Sequence, residues 1–155
     1  IKAQEKAERA AARAAAGFTD PPAGVLDGVP VAQPALMRAD KLSRKAASVG
    51  FDWTDTVDVV AKIREELAEV EEAVAQGDRA AAREEIGDLL FAVANLARHL
   101  DVDPEAALSA TNAKFERRFR AVEAGLRETG REPREASLAE MEALWVRAKE
   151  AEKGV

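Results

Sequence analysis

The sequence predicts an all-α chain, and three observations carry that expectation. Only 5% of its 155 residues are aromatic and Tyr is absent, which is poor material for strands. Alanine is abundant, and the Gly and Pro residues gather in a few places instead of recurring between short strands. Apolar residues repeat at helical spacing over long runs. Helices of that length joined by short connections pack as antiparallel neighbours, so the expected architecture is an antiparallel helical bundle.

Taken in order, Lys2 to Ala16 is helix-forming but offers only Ala as an apolar face, so it reads as a solvated helical tail over residues 1–16. Residues 17–33 hold Pro21, Pro22 and Pro30 with Gly24 and Gly28 and show no period, which is a linker. The main body, 34–155, begins at Pro34, suited to a first helical turn, and its first helix runs to a stop at Gly50. Phe51 to Asp55 is a short connection with capping residues. A long helix follows from about Thr56 to Gln76, ended by Gly77. Asp78 caps the next, about Arg79 to Leu100, and Asp103-Pro104 opens another through about Arg127. Ser137-Leu138-Ala139-Glu140 reads as a capping box for a last helix to about Glu152. Lys2–Lys6 echoes Lys149–Lys153 in type and spacing, and the chain begins with Ile1. This suggests the second half of a tandem protein, with residues 1–16 the tail of an upstream copy.

Composition also removes several chemistries. Cysteine is absent, which excludes thiolate catalysis and cysteine metal sites, and the single histidine, His99, excludes a His-rich one. A net charge of -6 argues against nucleic acid as the main partner. No apolar run reaches the ~18 residues of a membrane span and no signal peptide is visible. The expected location is the cytoplasm.

The acids of the two middle helices carry the chemistry. On the first, Val59, Val60, Ile63, Leu67, Val70 and Val74 form the apolar stripe, with Glu66 roughly 70° and Glu69 roughly 130° to one side. Lys62 shares that flank. On the second, the stripe is Ile86, Leu89, Leu90, Val93, Leu96, Ala97 and Leu100, with Glu85 and Asp88 rotated by similar angles in the same sense. In antiparallel helices these flanks can face each other and bring four carboxylates together. Such a group cannot stay ionised without a cation. All-oxygen ligation suits Mg²⁺ or Mn²⁺. The competing reading, acids on the wet sides of amphipathic helices, stays open on geometry alone, and Glu65, Glu71, Glu72 and Glu84 fit it better. Glu65 joins a second metal only if a partner chain flanks the helix.

A third element adds positive charge. Phe115, Phe119, Val122 and Leu126 form a core stripe, and Lys114, Arg117 and Arg118 cluster beside it as a candidate anion site. The alternative is pairing with Glu116 and Glu123 on a wet surface. Elsewhere, His99 suits the end of its helix rather than catalysis, and Asn95 and Asn112 either reach a nucleotide or bridge helices. Trp53 reads as a structural plug. Trp145 shares a stripe with Leu138, Met141 and Ala148, so packing competes with base stacking.

Glu65-Glu66-Leu67-Ala68-Glu69 followed by Glu85-Ile86-Gly87-Asp88 is similar to the EExxE and ExxD pattern of the all-α nucleoside triphosphate pyrophosphohydrolases. Pro34 to Lys41, Val49 to Trp53, Gly87 to Phe91, Asn95 to Leu100 and Asn112 to Phe119 resemble the C-terminal domain of the MazG family, a likeness covering about 34–150. The resemblance implies a dimeric all-α NTP pyrophosphatase fold and hydrolysis of NTPs and dNTPs to the monophosphate and pyrophosphate, as house-cleaning or pool control. It implies Mg²⁺ (Mn²⁺ as substitute) on Glu66, Glu69, Glu85 and Asp88, catalytic parts for Glu69 and Glu66, and substrate contacts from Lys62, Lys114, Arg117, Arg118 and Trp145. A homodimer with a nucleotide substrate, and neither nucleic acid nor membrane, completes the expectation. A di-iron bundle is rejected because Leu96, not Glu, precedes His99 by three residues. A noncatalytic helical interaction module remains the alternative.

Overall fold

The computed structural model describes residues 23–153 together with residues 4, 5, 7, 8, 11 and 15. Those six are helical; the rest of the expected tail over 1–16, and positions 17–22 of the expected linker, lie outside the described residues. Positions 23–33 contain turns and no helix, with Gly24 N donating to Asp27 Oδ2 at 2.7 Å.

Five α-helices follow: α1 (Ala35–Ala47), α2 (Thr56–Gln76), α3 (Arg79–His99), α4 (Pro104–Arg127) and α5 (Leu138–Lys153), with a 3-10 turn at Pro133–Glu135. No strand occurs among the described residues. Pro34 is the residue before α1 rather than within its first turn, and α1 ends at Ala47, three residues before Gly50. The bounds of α2 and α4 are those the sequence implies, since the punctuation there is unambiguous. Gly77 ends α2 at φ 69, a backbone that glycine adopts without strain. Directly after it, Asp78 Oδ1 accepts from the N–H groups of Ala80 and Ala81 at 3.0 Å each. Asp103 does the same for Glu105 and Ala106, with Pro104 at the first helical position. The capping box also forms: Ser137 N donates to Glu140 Oε2 at 2.8 Å, and Glu140 N to Ser137 Oγ at 3.3 Å.

The two-residue turn at Gly77-Asp78 folds α2 and α3 into the most extensive helix pair, with α1 laid against α3. The second pair is α4 with α5, touching the first pair mainly through α1. The α4–α5 approach is close at Gly125, where a Cβ would stand 2.6 Å from Leu144 Cδ2.

The core is thin. Its fully apolar members are Val59, Ala73, Ala92, Ala94, Val122 and Leu126. This corrects the expected stripes in part. Leu67, Val74, Ile86, Leu90, Val93 and Leu100 are exposed, because a two-helix layer covered on one side by α1 has nothing to place over its other side. Phe115 and Phe119 are likewise exposed; they stack on one another at 6.1 Å, and Phe115 meets Trp145 at 5.2 Å.

Two substitutions check this account of the α2–α3 hairpin. Asp78→Ala removes a cap accepting two N–H groups and is expected to cost about 1 kcal/mol. Val59→Ala leaves a void at a site 1% exposed and is expected to cost roughly 2 kcal/mol. Denaturant midpoints at unchanged m-value measure both, and a null shift for Val59→Ala would mean that the α2–α3 seam is not the core.

Candidate metal and phosphate site

Helical spacing brings Lys62, Glu66 and Glu69 to one flank of α2, and the tight turn sets that flank against Glu85 and Asp88 of α3. Glu66 is the centre. It is only 5% exposed, and carboxylate oxygens of Glu66, Glu85 and Asp88 lie within 4.8 Å of one another. A second triad, Glu65, Glu66 and Glu69, meets the same criterion and shares Glu66 with the first. All four acids expected at the centre are therefore brought together across two overlapping groups. Glu65 stays exposed, as expected of an acid on the wet side of its helix, yet one of its carboxylate oxygens reaches the Glu66–Glu69 group. Its side chain swings toward Lys62, a freedom that angular arithmetic on Cα positions ignores.

Charge is far from balanced. Lys62 Nζ lies 2.6 Å from Glu66 Oε1 and 2.7 Å from Glu65 Oε1. These bonds, that to Glu65 first and then that to Glu66, hold its ammonium well above the usual lysine range, so it stays charged. One cation thus faces five carboxyls. The Glu69 carboxyl is pushed upward from its usual range. Loss of surrounding water contributes most, followed by the negative charge of Glu66, a hydrogen bond to it, and the charge of Glu85. A hard divalent ion fits this donor set: it is all oxygen, anionic and undercompensated.

Beside the acids is a pocket of about 210 Å³ whose wall includes Lys62, Glu66, Asp88, Trp53, Phe91 and Asn95. Trp53 is 42% exposed and borders this space, so it is not a buried plug. Asn95 is 3% exposed. Its Oδ1 accepts from Arg98 Nε at 2.9 Å, and Arg98 also binds Asp52. His99 Nε2 lies 3.0 Å from Asp52 Oδ1, a fastening of the 51–53 loop to the end of α3 rather than a catalytic placement. Arg98 chiefly, then His99, holds the Asp52 carboxyl below its usual range. Sequence reasoning missed Phe91, Asp52 and Arg98. Only the loop-to-helix contact unites them, and spacing carries no trace of it.

The basic cluster is elsewhere. Arg117 and Arg118 both bind Glu152 of α5, at 2.8 and 2.7 Å, and Glu152 is lowered by Arg118 first and Arg117 second. The alternative reading, surface pairing, holds for these arginines but with Glu152 rather than Glu116 or Glu123; Glu116 is taken by Arg120. The Arg118 guanidinium sits 5.9 Å over the Trp145 ring, and Lys114 is exposed nearby on α4. No residue of α4 or α5 lines the carboxylate pocket.

Residues 56–122 match the MazG nucleotide pyrophosphohydrolase domain. The chain is 45% identical over 98% of its length to a protein of Escherichia coli K12 named nucleoside triphosphate pyrophosphohydrolase, covering 54% of that protein. It is 38% identical over 96% of its length to the nucleoside triphosphate pyrophosphohydrolase/pyrophosphatase MazG of Thermotoga maritima, covering 52% of it. A 69-residue stretch is 48% identical to the uncharacterized protein YabN of Bacillus subtilis. The chain spans about half the length of the curated relatives it matches over nearly its whole extent. The matched segment contains every acid of the cluster and the Lys114–Arg118 group, so the likeness to the MazG nucleotide pyrophosphohydrolase domain spans the whole candidate site.

Proposed function

We propose that this chain hydrolyses nucleoside triphosphates, ribo and deoxy, between the α and β phosphates, releasing the monophosphate and pyrophosphate in cytoplasmic house-cleaning or pool control. The observation that carries the reading is the buried Glu66 carboxylate shared by two acid triads beside an open pocket. In this reading Glu66, Glu69, Glu85 and Asp88 hold Mg²⁺, with Mn²⁺ as a substitute. A bound ion of that kind polarises a phosphoryl oxygen and eases deprotonation of water. Glu69 is the base. Its raised carboxyl suits it to take a proton from the attacking water, whose oxygen bonds to the α phosphorus as the bond to the β-bridging oxygen breaks. Lys62 keeps Glu66 in place and adds positive charge beside the phosphates.

The remaining contacts require a second copy. Leu67, Val74, Ile86, Leu90 and Val93 are exposed apolar side chains of the α2–α3 pair. A homodimer covers such surface. Because Lys114, Arg117, Arg118 and Trp145 do not line the carboxylate pocket of their own chain, the reading has them approach the nucleotide from the other copy. There they offset charge building on the departing pyrophosphate. No helix of the described residues is long and apolar enough to cross a membrane, and no nucleic acid is needed.

Three outcomes are expected. Glu69→Gln and Asp88→Asn should each lower pyrophosphate release from mixed NTPs and dNTPs with Mg²⁺ by about 100-fold or more at unchanged helicity. A noncatalytic interaction module would release none even before substitution. Mixing inactive Glu69→Gln and Arg118→Ala proteins should restore about a quarter of wild-type turnover, since half the random dimers are mixed and each has one intact site. No recovery would place the whole site in one chain.

The third outcome concerns pH. With no ion bound, Glu69 has a raised carboxyl when folded, so its contribution to stability is present below the unfolded carboxylate range and is lost as pH rises through the raised value. Binding an ion removes that loss. The Mg²⁺-induced rise in melting midpoint should therefore be small at acidic pH and grow through that window. It should reach the equivalent of about 2.7 kcal/mol at roughly 100 times the Kd. A rise independent of pH would contradict the site.

A further inference from the structure

Arg117 and Arg118 are neighbours in α4, and neighbouring helical residues point about 100° apart. Their guanidiniums, alike in charge, would not meet unless an anion drew them together. They do meet, on one carboxylate. Arg117 Nε donates to Glu152 Oε1 at 2.8 Å, while Arg118 approaches Glu152 Oε2 with Nε at 2.8 Å and Nη2 at 2.7 Å. Each oxygen serves one arginine. Two non-bridging oxygens of a phosphate present the same kind of acceptor pair with more negative charge, and the arginine fork suits either group.

Glu152 is placed as an occupant and not as a pillar. The clasp is wet: the side chains of Arg117 and Glu152 are 62% and 29% exposed, and ion pairs in such surroundings are weak and screened by salt. Glu152 lies in the last turn of α5, where carbonyls lack helical partners and local opening costs little. The two helices are also tied elsewhere. Arg131 binds Glu140 at 2.8 Å, Phe115 meets Trp145, and Leu144 fills the notch at Gly125. Arg118 has a second support as well, since its guanidinium sits 5.9 Å over the Trp145 ring. That cation therefore stays in place when the carboxylate leaves.

We infer that Glu152 is an internal stand-in for phosphate: it occupies the Arg117–Arg118 pair when no nucleotide is bound, and the polyphosphate must displace it. The inference rests on the reading of these arginines as phosphate contacts and deepens it by naming their competitor. A tethered carboxylate competes at every substrate concentration. The apparent affinity is then the intrinsic one reduced by the fraction of chains whose clasp is open. An anion of several charges, such as a triphosphate or pyrophosphate, replaces the carboxylate on better terms than a singly charged one, so the clasp also favours polyphosphates over lesser anions.

Pyrophosphate titrated calorimetrically into the full chain, without divalent ion, reads the clasp alone, because no metal then joins phosphate to the acids. Glu152→Gln keeps the side-chain shape and drops the charge, and should bind pyrophosphate roughly five- to tenfold more tightly than wild type. Adding Arg118→Ala to that variant should abolish the gain. Glu150→Gln, at an exposed acid of the same helix outside the clasp, should stay within about twofold of wild type. In turnover of mixed NTPs with Mg²⁺, Glu152→Gln should lower KM by a similar factor while kcat stays within about threefold. Weaker pyrophosphate binding or a raised KM in Glu152→Gln overturns the inference, since Glu152 would then be holding the arginines in shape for substrate. An equal gain in Glu150→Gln overturns it as a general effect of charge, and so does the absence of pyrophosphate binding in both wild type and Glu152→Gln. Loss of fold in Glu152→Gln overturns it too, because the clasp would be structural. Tighter pyrophosphate binding by Glu152→Gln in a chain that hydrolyses no triphosphate upholds the stand-in and removes the hydrolase reading.

Discussion

Burial of the Glu66 carboxylate is the constraint around which this molecule is organised. A carboxylate taken from water is costly unless charge and hydrogen bonds replace the lost solvation. Lys62 supplies one such partner at 2.6 Å. Glu65, Glu69, Glu85 and Asp88 then crowd the same place and turn a neutralised pair into a strongly anionic centre. The α2–α3 hairpin enforces this. Gly77 and Asp78 allow no slack between the helices, so the two acid flanks cannot swing apart without breaking a capped turn and the Val59 seam. The packing of the hairpin thus holds repelling charges together.

The same economy explains what the fold leaves uncovered. Small residues, Ala73, Ala92 and Ala94, let α2 and α3 approach closely and bring the carboxylates within reach. Close approach through alanine also means that little apolar area is buried in one chain. The larger side chains point outward, at Leu67, Ile86, Leu90 and Val93. A tight acid centre and an exposed apolar face are thus two results of one packing choice. The basic and aromatic surface of α4 and α5 is knitted separately, by Glu152 and by Arg118 over Trp145.

Much of this was legible in the sequence wherever the signal is local. Gly77-Asp78, Asp103-Pro104 and the Ser137–Glu140 box mark helix ends by mechanisms that act within four residues, and the structure obeys them. The meeting of Glu66, Glu69, Glu85 and Asp88 was legible because an antiparallel hairpin converts rotation about each axis into proximity. What depends on long-range contact was not. The stripes containing Leu67 and Phe115 announce apolar faces but not what covers them. Trp53 looks like a plug until the Asp52–Arg98 contact is known to hold its loop over the pocket. Glu65 is exposed as its angle implies, but its side chain reaches Lys62 and the Glu66 group, which an angle assigned to Cα does not register. The partners of Arg117 and Arg118 were sought at neighbouring turns, whereas Glu152 comes from another helix.

The central claim is that the carboxylates around Glu66 form one cation-binding centre. Electron paramagnetic resonance of Mn²⁺ titrated into the chain addresses it without reference to substrate or turnover. The account predicts saturable binding that Mg²⁺ displaces, that Glu66→Gln abolishes, and that Glu84→Gln, at an exposed acid outside both triads, leaves unchanged. Equal binding by the two variants would contradict it, because the ion would then be responding to acidic surface in general and not to the buried carboxylate.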